Sequence, residues 1–170
     1  CKFGGTSLAD AQAFRIAADI VEADPARRFI VVSAPGKRSA QDQKITDLLL
    51  GWFHNVKNGL DPAQPIAIIS ERFNTLVEKL GLNFDIQAEI DLIADKAAFH
   101  EGPDFLASRG EYLSGRIMAE LIDARFVEPA DFIRFDSRGQ IDPVTYDLLG
   151  EALSGDGRFV VPGFYGTDSK

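Results

Sequence analysis

Apolar residues along this chain recur at two kinds of spacing, one typical of helices and one typical of strands. Residues 8–22 carry apolar side chains at three- and four-residue intervals, which predicts an amphipathic helix with Ser7 as its N-cap. The run FIVVS at residues 29–33 is short and continuously apolar, as expected for a parallel strand that is buried on both faces. A polar loop follows at residues 34–44.

The rest of the chain continues this alternation of helices and strands. Further helices are predicted at residues 45–56, 66–80, 86–98, 113–122 and 143–153, and further strands at residues 125–127, 132–135 and 158–161. This order favours an α/β fold with a mainly parallel sheet sandwiched by helices. A length of 170 residues with 45% hydrophobic content suits one domain with a substantial core.

Composition limits the classes of partner and site. A net charge of −8 argues against nucleic-acid partners and against a polybasic membrane surface, since both need clustered Lys and Arg. Cys1 is the single cysteine, and there is no signal peptide or long apolar run, which predicts a soluble, cytoplasmic protein. The chain has no initiator Met, so we expect residues before Cys1. A targeting segment among those residues stays an open alternative. His54 and His100 lie far apart in the sequence and without flanking cysteines, so we predict no transition-metal site.

The first seven residues, CKFGGTS, are the first candidate for ligand binding. Lys2 precedes Gly4 and Gly5, and the hydroxyls of Thr6 and Ser7 follow. The N–H groups of a double-glycine turn can approach a polyphosphate closely, and a lysine can neutralise charge as it moves between oxygens. In a P-loop the lysine follows the last glycine, so this segment is not a P-loop. An ordinary turn before a helix explains the same residues equally well.

Other candidates lie just after predicted strands or at helix starts, where ligands bind in parallel α/β folds. Ser33 ends a strand in VVSAPGKR and either donates to a phosphate oxygen or acts as a capping residue. Thr46 opens a helix whose positive dipole end suits a carboxylate, or is an ordinary cap. Glu111 in SRGEYLSGR either accepts hydrogen bonds from a substrate ammonium group or only favours a first helical turn. GFYGTDSK, with Phe164, is either a ligand-facing loop or an exposed turn.

Taken together and in this order, these motifs resemble the signatures of the aspartokinases, within the amino-acid kinase superfamily. The matching segments are KFGGTS, VVSAPGKR followed by KITDLLL, SRGE with its helix, and GFYG, so the resemblance covers nearly the whole chain. Thr6 and Ser7 favour aspartokinases over acetylglutamate, uridylate and glutamate kinases. The resemblance implies phosphorylation of the L-aspartate side chain by MgATP, toward lysine, threonine and methionine, by a full-length enzyme that is a homo-oligomer.

The resemblance also implies roles for individual residues. Lys2 would be catalytic and would neutralise charge on the transferred phosphoryl group. The residues around the ATP phosphates would be Lys2, Gly4, Gly5, Thr6, Ser7 and Ser33. Thr46 and Glu111 would bind the substrate, with Glu111 contacting the ammonium group of aspartate. Phe164 would contact aspartate through its own backbone. Mg²⁺ would arrive with ATP, with no protein ligand assigned, and no covalent enzyme intermediate is implied.

The family pattern continues beyond what this sequence contains. After GFYGTDSK it has an arginine-containing, glycine-rich segment with an aspartate, then a nucleotide-binding half and regulatory ACT domains. We therefore expect residues 1–170 to form the N-terminal part of an amino-acid kinase domain, with little or no activity in this form. The alternative is a non-catalytic amino-acid or phosphate binding domain that keeps the first loop for structure or regulation.

Overall fold

The computed structural model describes residues 1–99 and 102–168, and a parallel sheet lies at its centre. In chain order the strands are β1 (Lys2–Phe3), β2 (Phe29–Val32), β3 (Arg125–Phe126), β4 (Arg134–Phe135), β5 (Phe159–Pro162) and β6 (Thr167–Asp168). Four of them form a fully parallel sheet in the spatial order β1-β2-β5-β3, and β4 pairs with β6 in a small second parallel sheet. The predicted fold class is confirmed. His100, Ser169 and Lys170, named above, lie outside the described residues.

Helices cover both faces of the main sheet. The α-helices of the described residues are α1 (Ala11–Glu22), α2 (Ile45–Lys57), α3 (Ala63–Leu80), α4 (Ile86–Ala97), α5 (Asp104–Leu121), α6 (Pro129–Phe132) and α7 (Val144–Ala152). Strand β5 shows the two faces, because Val160 belongs to the large core with α5, whereas Phe159 and Val161 pack with Ala152 of α7. Such alternation is what a buried parallel strand between two helical layers requires.

Helix α5 lies between the main sheet and the outer helices. It packs against β2, β3 and β5 on one side and against α2, α3 and α4 on the other. Leu113, Ile117 and Met118 are fully buried in that position. Trp52 of α2 lies in the same core. No helix of the described residues is long and apolar enough to cross a membrane.

The start of the first helix differs from the prediction. A 3₁₀ helix spans Gly5–Leu8, and α1 begins only at Ala11. The prediction that Ser7 is the N-cap is wrong, because the side chain of Asp10 caps α1 by accepting a hydrogen bond of 2.9 Å from the N–H of Ala13. Ser7 therefore lies within the turn that leads from β1 to α1.

Two other predicted elements also differ from the structure. Helix α5 begins at Asp104 and not at Leu113. Its first half buries Ser108, Arg109 and Gly110 beside Leu106 and Ala107, and this mixed set carries no apolar periodicity. The predicted strand at 132–135 is divided between α6 and β4. Pro129 is the first residue of α6, where its fixed φ favours a helix. The side chain of Glu128 accepts a hydrogen bond from the N–H of Ala130.

Candidate functional site

The candidate site lies at the carboxyl end of the main sheet. Three loops leave neighbouring strands there: the first loop (residues 4–9) after β1, the second loop (residues 33–44) after β2, and the third loop (residues 163–166) after β5. These strands are adjacent and parallel, so the three loops emerge side by side. The sequence predicted ligand-facing residues in all three loops, and the fold brings them together.

Backbone hydrogen bonds fix the bases of these loops. The N–H of Ser33 donates to the carbonyl of Phe3 at 3.1 Å, and the N–H of Gly163 donates to the carbonyl of Val32 at 2.9 Å. Each loop therefore begins at a defined position beside the next. Ser33 itself is half-buried.

Two glycines hold the first and second loops in backbone contact. The N–H of Gly36 donates to the carbonyl of Gly5 at 2.7 Å. A Cβ atom on Gly36 would lie 2.7 Å from that same carbonyl oxygen, and one on Gly5 would lie 2.9 Å from the oxygen of Ala34. No side chain fits between the loops, so both positions require glycine for this close approach. Gly4 differs, since nothing lies within 4 Å of the place where its Cβ would be.

The first loop presents polar groups to solvent. Lys2, Thr6 and Ser7 are exposed, and so is Gly4. The first N–H groups of a helix have no partner within it, which applies to the 3₁₀ helix at Gly5–Leu8. The ammonium group of Lys2 on β1 and the two hydroxyls and backbone N–H donors of the turn that follows are thus all accessible to solvent. Chemically, this arrangement can bind a polyanion.

Gly110 brings α5 against the second loop and the start of α2. A Cβ atom at this position would lie 2.7 Å from Cβ of Ala34 and 3.0 Å from Cγ2 of Ile45. The absent side chain lets the helix approach, and Glu111 follows directly. Thr46 comes directly after Ile45, so the two residues predicted to bind the substrate are both adjacent to this contact.

Glu111 is a half-buried carboxylate in the middle of α5. The alternative that it stands in a first helical turn is therefore wrong. Burial raises the pKa of Glu111 above its ordinary value, and the backbone N–H of Ala34 and the charge of Arg109 oppose that rise. Its Oε2 is buried with no hydrogen-bond partner among the described residues. A ligand that donates N–H groups would satisfy this oxygen.

Thr46 does not cap α2. The N-cap is Lys44, and no side chain makes a capping hydrogen bond there. Thr46 is the second residue of the helix and is half-buried. The N-terminal N–H groups of α2 therefore lack a side-chain partner at the end of the second loop, where the helix dipole favours a carboxylate.

Phe164 has an unusual backbone conformation. Its φ is 82°, in the left-handed region that a bulky residue rarely adopts, while its side chain is 73% exposed. The loop is fixed on both sides, at Gly163 by Val32 and at Thr167, whose N–H donates 2.8 Å to the carbonyl of Ile133. The fold thus holds the backbone of Phe164, and not its ring, in a defined position.

The sequence analysis missed two charged residues next to the site. Arg72 of α3 is 2% exposed and forms an ion pair with Asp42 of the second loop, with 3.1 Å between Nη1 and Oδ2. Hydrogen bonds from Arg38, together with the charge of Arg72, hold the pKa of Asp42 well below its ordinary value. A signal did exist, because Arg72 interrupts the apolar stripe of Ile69 and Phe73 at helical spacing.

A third missed residue, Arg109, lies beside the third loop. It is buried in α5, it donates to Oγ of Ser108 at 2.9 Å, and the rings of Phe105, Tyr112 and Tyr165 pack around its guanidinium. It lines a cavity of about 620 Å³ that Phe164 also borders. This packing anchors the third loop to α5 through Tyr165.

Comparisons with known proteins identify the family to which the chain belongs. Residues 1–170 match the Amino acid kinase family. Aspartokinase 3 of Bacillus subtilis is 33% identical over 181 residues, an alignment that covers 97% of this chain and 40% of that protein.

Solved structures are similar over the same extent. Clostridium acetobutylicum aspartate kinase superposes with a TM-score of 0.95 at 38% identity, over 99% of this chain and 39% of that one. E. coli aspartokinase III in complex with aspartate and ADP gives a TM-score of 0.77 at 27% identity, over 99% of this chain and 41% of that one. The chain therefore spans about 40% of the length of the relatives it matches.

Proposed function

Because this chain belongs to the amino acid kinase family and resembles its aspartokinases, we propose that it takes part in ATP-dependent phosphorylation of the L-aspartate side chain. The product would be 4-phospho-L-aspartate, which enters lysine, threonine and methionine synthesis. In this proposal residues 1–170 form the N-terminal part of the kinase domain of a cytoplasmic, homo-oligomeric enzyme. The observation that carries it is the buried Oε2 of Glu111, which has no partner among the described residues and lies at the sheet end that also holds Lys2 and the first loop.

Recognition of aspartate follows from the surroundings of Glu111. The substrate ammonium group donates to the carboxylate, satisfies Oε2 and compensates the charge that burial disfavours. Thr46 lies beside the uncapped start of α2, where a hydroxyl and the helix dipole favour a substrate carboxylate. Phe164 presents backbone groups from its fixed loop.

Binding of the ATP phosphates follows from the first loop. Lys2, the hydroxyls of Thr6 and Ser7, and the open backbone at Gly4 form the surface that the polyphosphate contacts. Ser33, at the base of the second loop, adds a hydroxyl. No group of three or more His, Cys, Asp or Glu within residues 1–99 and 102–168 could hold a metal ion. In this proposal Mg²⁺ is carried by ATP and neutralises phosphate charge.

The reaction needs little covalent chemistry from the protein. An oxygen of the aspartate side chain forms a bond to the γ-phosphorus, and the bond from that phosphorus to the bridging oxygen of ADP breaks. Negative charge moves from the attacking carboxylate to the departing ADP, and Lys2 compensates it on the transferred group. The protein contributes by holding the two reactants in line, which is the task of three loops fixed side by side.

The test is a binding experiment with three ligands, L-aspartate, succinate and MgATP, and two variants of the 170-residue chain. NMR titration registers weak affinities, and succinate serves as an aspartate analogue without the ammonium group. We expect Glu111→Gln to weaken L-aspartate binding about tenfold or more, the size expected for a lost charged hydrogen bond, while succinate binding stays unchanged. Lys2→Ala should weaken MgATP binding and leave aspartate binding intact.

Turnover separates the enzyme from the alternative binding domain. Aspartate-dependent ADP formation is measured in a chimera in which residues 1–170 replace the matching segment of the Bacillus subtilis relative. Turnover that disappears with Lys2→Ala supports the kinase. Aspartate binding without turnover in a folded chimera would favour the non-catalytic domain, and equal loss of succinate and aspartate binding in Glu111→Gln would contradict the role of Glu111.

A further inference from the structure

A buried cation beside the site takes its partners from the ligand loops. Arg72 lies on α3 in the apolar stripe that faces the core, and burial lowers its pKa from the ordinary value. A charge in such a place is tolerated only when it is paired and hydrogen-bonded. Among the described residues, the hydrogen bonds and the ion pair of Arg72 all go to the first and second loops and none goes to α3, while Nε of Arg72 is buried with no partner there.

The contacts of Arg72 reach both ends of the second loop. Its guanidinium donates to the carbonyl of Gly36 near the start of that loop and to the carbonyl of Gln43 near the end, at 3.0 Å for the latter. It also donates to the carbonyl of Ala9, at 3.4 Å, where the first loop ends. One side chain thus connects the first loop with two separate parts of the second.

The backbone of Gly36 is held from two sides. Its carbonyl accepts from Arg72, and its N–H donates to Gly5 of the first loop. Gln43 stands two residues before α2, so the same guanidinium also fixes the approach to Thr46. The phosphate-binding and aspartate-binding parts of the proposed site therefore meet at this arginine.

Asp42 extends the arrangement along the second loop. It pairs with Arg72 and accepts from the backbone N–H of Arg38 at 2.9 Å and from Nε of Arg38 at 3.0 Å. The loop is thereby folded back on itself over the buried guanidinium. A carboxylate between two arginines is well compensated in charge.

We propose that Arg72 is a positioning residue that sets the distance between the ATP-phosphate loop and the aspartate-binding helix start by clamping the second loop to the first. It touches neither ligand and acts through Gly36, Gln43 and Asp42. The inference rests on the proposed function. The positioning role of Arg72 requires a planar fork of donors that meets three carbonyls and a carboxylate at once. Lysine cannot replace arginine here, because an ammonium group is a compact point charge.

The experiment uses hydrogen exchange and ligand titration on the 170-residue chain with three variants. Arg72→Lys and Asp42→Asn weaken the clamp, and Asp42→Asn keeps the buried arginine and its carbonyl contacts should Arg72→Lys fail to fold. The matched control is Arg15→Ala, which removes an exposed arginine that also donates to a backbone carbonyl, that of Lys79, but touches neither loop.

We expect exchange in residues 4–9 and 33–44 to rise together by about tenfold or more in both clamp variants, as for the loss of a charged hydrogen bond. Exchange in β5 and α4 should stay unchanged, and affinity for MgATP and for L-aspartate should fall in parallel. Arg15→Ala should change none of these.

Three results would overturn the clamp: exchange that rises throughout the molecule, loops that loosen independently of each other, or loosened loops with unchanged affinity for both ligands. A chain that binds neither ligand before any substitution contradicts the proposed function instead. The coupling of the two loops in exchange still tests the clamp in that case.

Discussion

Glu111 is a carboxylate held half-buried in the middle of α5, where burial raises its pKa. One oxygen has no partner among the described residues. A carboxyl group whose folded pKa lies above its unfolded value gives the folded state its full benefit only while it is protonated. Stability is therefore expected to fall as the pH rises through the folded pKa of Glu111. In the proposed function, the ionised form of Glu111 binds the ligand although its ionisation lowers the stability of the folded chain.

The substitution Glu111→Gln should show directly how much stability is lost when Glu111 ionises. Glutamine resembles the protonated acid and does not ionise, so the variant should match the unsubstituted chain at pH 4 and unfold at a higher temperature at pH 8. Thermal unfolding at both pH values measures the difference. Asp136→Asn provides a control of opposite sign, because backbone hydrogen bonds lower the pKa of that half-buried carboxylate, so its loss should lower stability at pH 8. A variant Glu111→Gln that is less stable at pH 8 would mean that the carboxylate makes a stabilising contact.

At the scale of elements, apolar periodicity predicted the helices and strands that are buried through apolar side chains. Helices α2 and α4 and strands β2 and β5 lie where the spacing placed them, within a few residues. The first half of α5 was missed because Arg109 is buried by aromatic rings and Gly110 by the side chains of Ala34 and Ile45. Two-residue strands such as β4 and β6 depend on their partner and leave no periodic signal.

The candidate site was also predictable only as far as side-chain patterns reach. The order of motifs and the rule for parallel sheets indicated the three loops and the residues in them. The contacts of Arg72 were not predictable, because its acceptors are backbone carbonyls up to 63 residues away, and carbonyls are the same in every residue. Side-chain patterns carry no information about such partners.

Gly110 and Gly51 allow a paired test of the helix approach. Both lie inside helices, but a Cβ at Gly51 would meet nothing within 4 Å, whereas one at Gly110 would overlap Ala34. We expect Gly51→Ala to stabilise the chain by about 0.5–1 kcal/mol and Gly110→Ala to destabilise it by about 1–3 kcal/mol. Urea unfolding measures both. Equal effects of the two substitutions would contradict the close packing of α5 on the second loop.

At the scale of the whole molecule, the two ends of the sheet differ. The carboxyl end carries the three loops with exposed or unpaired polar groups. At the amino end, Arg28 donates to the carbonyls of Gly155 and Gly157 and stacks on Phe29 and Phe159. Its polar contacts are made within the chain itself. Because all four strands are parallel, the three loops of the proposed site lie at one end of the sheet, and the contacts of Arg28 lie at the other.

Ligand protection should therefore be confined to one end of the sheet. In hydrogen exchange followed by mass spectrometry, MgATP should slow exchange in residues 4–8 and 33–36, and L-aspartate in residues 45–48 and 163–165. Residues 153–158, at the amino end before β5, serve as the internal reference and should not change. Since Gly5 and Gly36 are in backbone contact, protection of one loop by MgATP without the other would contradict the shared site. Protection at 153–158 would place the ligand at the opposite end and exclude the three-loop site altogether.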